Sequence, residues 1–135
     1  MKKYPDKLAI QSDKKELKQV ERFLRQLFAE EHLPEQAFNK VLLCVSEAVV
    51  NSIEHGNKNE KYKTVTLEVY CNDKDISIVV ADEGDGFDYR KVADPTSKEN
   101  IIKENGRGIF IMKSLCNELK FKQKGKCVEL KIELV

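Results

Sequence analysis

The spacing of hydrophobic residues predicts a strand and two helices in the first part of the chain. Apolar and polar residues alternate over residues 7–11, which predicts a short strand. Asp13 and Glu16 have the spacing of a helix capping box, and apolar residues then recur at helical spacing over residues 17–28. A second helix, longer and more apolar, is expected over residues 37–55.

The remainder of the chain predicts two hairpins separated by a long loop. The apolar period changes to two over residues 64–71 and 76–81, and the polar residues between them favour a tight turn. Residues 84–108 contain four of the six glycines and no sustained apolar period, so we expect a long loop, of a length that is usually functional or disordered. A short helix is expected after Gly108, and a second hairpin over residues 119–134.

This order of elements predicts the α+β class, as a two-layer sandwich of about five mostly antiparallel strands with helices on one face. The 135 residues fit one domain, 1–135.

The composition excludes some classes of partner and site. With 24 Lys and Arg against 23 Asp and Glu, the net charge of +1 produces no strong positive potential that would favour direct nucleic-acid binding. No segment has the length of a membrane span, so a cytoplasmic protein without membrane contact is expected. The four cysteines lack zinc-site spacing and are interpreted as buried thiols.

The second predicted helix carries a narrow polar stripe beside its apolar side. It ends in the stretch EAVVNSIEHGN, residues 47–57. Steps of three and four keep residues on one side of a helix, so six polar or small residues share that side. Asn51 lies at its centre between apolar neighbours, so its amide is expected to be enclosed and to need polar partners, such as a hydrated cation. The alternative is an ordinary solvated face. The stripe consists of Lys40, Cys44, Glu47, Asn51, Glu54 and His55.

A second polar cluster, DEGDGFD at residues 82–88, directly follows the strand predicted over residues 76–81. The period of two places Asp82 on the same side as the apolar residues of that strand, so it is expected to face the helices. An inward carboxylate needs a structural partner or a ligand with N–H donors. Gly84 and Gly86 remove side chains beside it, which lets a flat ligand lie against the backbone. The alternative is an ordinary glycine-rich turn.

A third cluster, NGRGIFIM, occupies residues 105–112. Gly106 and Gly108 at the start of a helix would present backbone N–H groups and the positive end of the helix dipole to phosphate oxygens. The alternative is a flexible hinge.

The three clusters together offer a hydrogen-bond acceptor for a nucleobase, donors for phosphates and an oxygen for a divalent ion. These are the groups that a site for Mg-ATP needs. Residues 88–105 would then form a lid.

The order of these motifs resembles the N, G1 and G2 boxes of the GHKL ATPase superfamily, and the order of elements resembles its Bergerat fold. The sequence after Gly106 and the Asp94-Pro95-Thr96 segment resemble the anti-sigma-factor serine kinases. The resemblance implies ATP and Mg²⁺ as cofactors, Glu47 as catalytic general base and Asn51 as metal ligand. It also implies nucleotide-binding roles for Asn51, His55, Asp82, Gly84, Gly86, Asn105, Gly106, Arg107 and Gly108.

Two residues within this pattern leave a question open. His55 has an alternative interpretation, as a helix-end histidine that meets the last carbonyl groups of the helix. Many members of the superfamily have a Gly-Thr pair at the start of the last strand, with the threonine near the adenine. This chain has Gly125-Lys126-Cys127 instead.

The resemblance also implies a function and partners. The expected protein is a serine/threonine kinase that phosphorylates a STAS-domain anti-sigma-factor antagonist, binds a sigma factor and forms a homodimer. The alternative is a non-catalytic module whose partner binding responds to nucleotide.

Overall fold

The strands form one antiparallel sheet. The computed structural model of the chain describes residues 6–84, 104–123 and 126–134, and only the backbone of residues 104–107. Within these residues every neighbouring pair of strands is antiparallel. The strands are β1 (Asp6–Gln11), β2 (Thr64–Cys71), β3 (Asp75–Asp82), β4 (Glu118–Lys122) and β5 (Cys127–Glu133), in the spatial order β1-β2-β3-β5-β4.

Three α-helices accompany the sheet in the described residues: α1 (Leu17–Glu30), α2 (Phe38–Asn51) and α3 (Glu104–Leu115). Asp13 caps a short 3-10 turn before α1 by accepting a hydrogen bond from the backbone N–H of Lys15 at 3.1 Å. The capping residue is therefore the predicted one, although the α-helix begins only after that turn. None of the helices in the described part is long and apolar enough to cross a membrane.

The core lies between the helices and one face of the sheet. Alternate residues of β2 and β3 are buried, as the period of two predicts, because only one face of the sheet packs against the helices. The prediction of a two-layer α+β sandwich is therefore confirmed. Fully buried core residues include Val20, Leu24, Val41, Val45, Leu67, Ile76, Ile78, Val80, Leu130 and Ile132.

The start of the third helix differs from the prediction. The helix begins at Glu104 and not after Gly108, so both glycines lie within it. Glycine disfavours a helix by about 1 kcal/mol relative to alanine. Here Ile109 and Met112 are fully buried, and packing of this kind outweighs the low propensity. The proposed lid, with the exception of its last two residues, lies outside the described residues, and so does Gly86.

The second helix ends in a way that its periodicity did not predict. Regular α-helical bonding stops at Asn51, and residues Ser52–Gly56 form a π turn. The backbone N–H of Asn57 closes it by donating to the carbonyl oxygen of Ser52 at 2.7 Å. Single π turns of this kind occur frequently at functional sites.

Candidate functional site

Glu47 and Gly108 are brought together by the packing of α2 against α3. A methyl group added to Gly108 would place its carbon 2.5 Å from Oε2 of Glu47, so the glycine leaves the space that the carboxylate occupies. Glu47 is half-buried and Gly108 is buried. The general base implied by the resemblance thus lies against the glycine implied for phosphate contact.

A pair of thiols lies in the same interface between α2 and α3. Cys44 lies on α2 just before Glu47, and Cys116 directly follows α3. A hydrogen bond from the Cys116 thiol lowers the pKa of Cys44, and the same bond together with burial raises the pKa of Cys116. Both cysteines are free thiols, and Cys44 is buried as predicted, whereas Cys116 and also Cys71 are only half-buried.

Asn51 lies one turn beyond Glu47, and its side chain is almost completely enclosed. The residue is 4% exposed, and its Nδ2 atom has no hydrogen-bond partner within the described residues. Leaving a buried amide unpaired costs about 1–3 kcal/mol, which favours a polar ligand at this point. The expected enclosure is confirmed, while the expected partner is not among the described groups.

The amide of Asn51 also suits the cation that the resemblance implies. Its side-chain oxygen is a ligand type that Mg²⁺ accepts, and Mg²⁺ usually keeps several waters and binds substrate phosphates. Within the described residues no cluster of three His, Cys, Asp or Glu side chains could hold a metal ion. A site with one protein amide and further ligands from water and phosphate is consistent with both facts.

Asp82 ends β3 and points toward the helix layer, as predicted. Its Oδ1 atom accepts a hydrogen bond from the backbone N–H of Gly84 at 2.8 Å. Its Oδ2 atom is buried and has no hydrogen-bond partner in the described part of the chain. Burial raises the pKa of this carboxyl above its ordinary value, and the bond from Gly84 opposes the rise. A ligand N–H group that reached this oxygen would supply the missing donor.

The end of the π turn fits closely against the residues that follow β3. A methyl group on Gly56 would place its carbon 2.1 Å from Oδ2 of Asp82, and one on Gly84 would lie 1.7 Å from the backbone oxygen of Gly56. The sequence predicts that Gly84 leaves room for a ligand. The structure shows a second reason for a glycine at this position, which is the close approach of the backbone at Gly56. The sequence predicts no role for Gly56 or Asn57, because a Gly-Asn pair after a helix is typical of an ordinary helix end.

Gly84→Ala is expected to reduce the free energy of unfolding by about 1–3 kcal/mol or more, the usual cost of forcing atoms into a filled site. The added methyl group would meet backbone, which cannot swing away. Gly108→Ala is the matched control, because its methyl group would meet only the end of the Glu47 side chain. Denaturant titration of both variants measures the difference, and equal stability of the two would contradict the packing argument.

His55 lies in the π turn and is half-buried. Burial lowers its pKa, and the neighbouring Glu54 opposes that change. His55 follows Asn51 within the π turn and not within regular α-helix. Its nucleotide contact and its alternative role at the helix end both stay predictions.

The last strand reaches the same end of the sheet. The backbone N–H of Asp82 donates to the carbonyl oxygen of Lys126 at 3.0 Å, and Cys127 pairs with Ala81. Cys127 is buried, and burial raises the pKa of its thiol. The cysteine thus lies beside Asp82, in the region where many members of the superfamily carry a threonine.

The other predicted site residues are described in part or not at all. Residues 105–107 lie in the first turn of α3, where the structure describes only their backbone. N–H groups in the first turn of a helix have no partner inside the helix, which is the arrangement expected of a phosphate site. The roles of Asn105, Gly106 and Arg107 stay predictions.

Comparison with known proteins identifies the family. The sequence profile described as "Histidine kinase-like ATPase domain" matches residues 10–132. The chain belongs to this family. Similar proteins include the serine-protein kinase RsbW of Staphylococcus aureus strain RF122, 36% identical over 98 residues, and that of strain MSSA476, 32% identical over 96 residues. Each match covers 65% of this chain and 60% of the relative. These names agree with the resemblance to anti-sigma-factor serine kinases.

A solved structure with a similar fold supports the architecture. The crystal structure of the RsbU and RsbW domains of a Mycobacterium tuberculosis protein superposes with a TM-score of 0.65, at 15% sequence identity. The superposition covers 96% of this chain and 31% of the other. This chain therefore shares the fold of that structure.

Proposed function

We propose that this protein is an ATP-dependent serine/threonine protein kinase in which Glu47 is the general base. The observation that carries the proposal is the packing of Glu47 against Gly108, which puts a carboxylate one turn inside the helix whose first N–H groups are proposed to bind phosphate. A module that only binds nucleotide does not require a general base at that point. The relatives named as serine-protein kinases support the same activity.

Each residue of the site has a distinct role in this proposal. Asp82 accepts a hydrogen bond from the exocyclic amine of adenine, and the N–H groups at the start of α3 hold phosphate oxygens. Asn51 supplies an oxygen to Mg²⁺, which would neutralise charge on the phosphates. Glu47 accepts the proton of the attacking hydroxyl group.

The protein substrate and partners are proposed from the resemblance. The hydroxyl group belongs to a serine or threonine of a STAS-domain anti-sigma-factor antagonist, and the kinase also binds a sigma factor. The two partners compete for a cytoplasmic homodimer in which residues 1–135 act as one domain. The near-equal numbers of acidic and basic residues are consistent with protein partners and with the absence of direct nucleic-acid binding.

Incubation with Mg-ATP and a candidate STAS-domain protein tests the activity. We expect ATP binding by titration and acid-stable phosphoserine or phosphothreonine on the STAS protein. Binding of ATP without any phosphorylated product would instead support the nucleotide-switched module. Failure to bind ATP would reject both functions.

Gly108→Ala is expected to reduce the rate of phosphotransfer by about 100-fold, the size of loss that a misplacement of about 1 Å can cause. Its methyl group would displace the Glu47 carboxylate. Alanine also favours a helix more than glycine does, so stability is expected to hold or rise. Single-turnover assays and thermal unfolding separate the two effects. A folded variant with unchanged transfer would contradict the position given to Glu47.

A further inference from the structure

Asn57 is completely buried and links three segments of the chain. It is 0% exposed. Its Nδ2 atom donates to the backbone oxygen of Thr64 at 2.9 Å, at the start of β2. Its Oδ1 atom accepts from the backbone N–H of Glu83 at 2.9 Å, just after β3. One side chain therefore joins the end of the π turn to the ends of two strands.

These bonds lie next to the carboxylate of Asp82, which is proposed to bind adenine. Glu83 directly follows Asp82, and Gly56, which contacts the Asp82 carboxylate, directly precedes Asn57. The backbone on either side of Asn57 is fixed as well, because its N–H donates to Ser52 and its carbonyl oxygen accepts from Glu60 at 3.0 Å. The position of the Asp82 carboxylate relative to the helix layer thus depends on a clamp with little freedom to adjust.

We infer that Asn57 is a positioning residue that sets the specificity of the site for adenine. It holds the turn after β3 so that the Asp82 carboxylate faces the exocyclic amine of the base. This inference rests on the proposed function, since it requires Asp82 to contact adenine.

The side chain of Asn57 has the groups that this role needs. It bonds one backbone donor and one backbone acceptor at once, which an amide can do and an ionised carboxylate cannot. A buried hydrocarbon side chain would leave both backbone groups unpaired. Loss of the clamp therefore frees the residues around Asp82 to move without removing the carboxylate itself.

The test compares ATP with purine riboside 5′-triphosphate, which lacks the exocyclic amine and keeps the ribose and phosphates. The wild-type protein is expected to prefer ATP by about 10- to 100-fold, the range for one hydrogen bond to a charged group. Asn57→Ala is expected to reduce that preference to about 3-fold or less, while affinity for the analogue changes little. Asn57→Leu fills more of the same volume and gives the same readout if the alanine variant fails to fold.

Two further variants separate positioning from a general loss of stability. Asn57→Asp keeps the acceptor for Glu83 N–H and is expected to restore part of the preference. Asn72→Ala is the matched control, because the side-chain oxygen of Asn72 accepts from the backbone N–H groups of Lys74 and Asp75 at the opposite end of the same two strands. It is expected to keep the full preference even if stability falls.

The outcomes distinguish this inference from the proposed function. Equal affinity of the wild-type protein for the two nucleotides would reject the contact between Asp82 and adenine, and the inference with it. A wild-type preference that persists in folded Asn57→Ala or Asn57→Leu would overturn the role of Asn57 alone. A parallel loss of affinity for both nucleotides would also overturn it, since a merely structural role has that effect.

Discussion

Glu47→Ala is expected to bind ATP with nearly wild-type affinity and to lose at least about 100-fold in phosphotransfer rate, the lower end of the usual contribution of a general base. The carboxylate lies against Gly108, so its removal is expected to leave the proposed adenine-binding end of the site, at Asp82, intact. The loss should fall on the chemical step and not on nucleotide affinity. Calorimetric titration with ATP and single-turnover phosphorylation of the STAS protein measure the two quantities separately.

Glu54→Ala is the matched control for this prediction. Glu54 is also half-buried, lies close to Glu47 in sequence and pairs with Lys14, away from Gly108. Its removal changes the net charge by the same amount and is expected to leave phosphotransfer nearly unchanged. If Glu47→Ala lost ATP affinity and phosphotransfer to the same degree, the carboxylate would be a binding group and the assignment as base would be wrong.

The parts of the fold that could be predicted from sequence are those set by local periodicity. Strand β2 was predicted with the observed bounds, and the two hairpins follow from alternation and turn residues, which are properties of neighbouring positions. The inward direction of Asp82 follows from the same rule, since a strand alternates strictly. The enclosure of Asn51 follows from its apolar neighbours on a helix.

The parts that escaped prediction depend on contacts between distant segments. Helix α3 begins before its two glycines because residues such as Ile109 pack into the core, a gain that intrinsic propensity does not record. The clamp at Asn57, which follows the π turn, depends on backbone groups of Thr64 at the start of β2 and of Glu83 after β3. No local pattern in the sequence identifies such partners.

Asp82→Asn is expected to reduce ATP affinity by about 100-fold and at the same time to raise the thermal stability of the nucleotide-free protein at neutral pH. The affinity falls because an N–H donor replaces the oxygen that is proposed to accept the adenine amine. The stability rises because the buried Oδ2 atom has no partner among the described groups, and a neutral amide is less costly to bury than a carboxylate.

The stability gain has a definite pH dependence. Burial raises the pKa of Asp82 in the folded protein above the ordinary value of 3.8, so the folded state holds the proton more tightly than the unfolded state. The charged group therefore costs stability as the pH rises from 3.8 through the folded pKa, with the full cost at neutral pH and none well below 3.8. The difference in unfolding temperature between Asp82→Asn and wild type should be largest near neutral pH and should shrink on acidification.

Asp75→Asn provides the control for both readouts. It removes the same charge at the opposite end of β3, where Asp75 lies 3.8 Å from Lys131 and accepts a hydrogen bond from Asn72. It is expected to lower or preserve stability and to leave ATP affinity unchanged. An Asp82→Asn variant that is less stable than wild type at neutral pH would mean that the carboxylate already has a partner in the folded protein. The proposed contact between Asp82 and adenine would then be rejected.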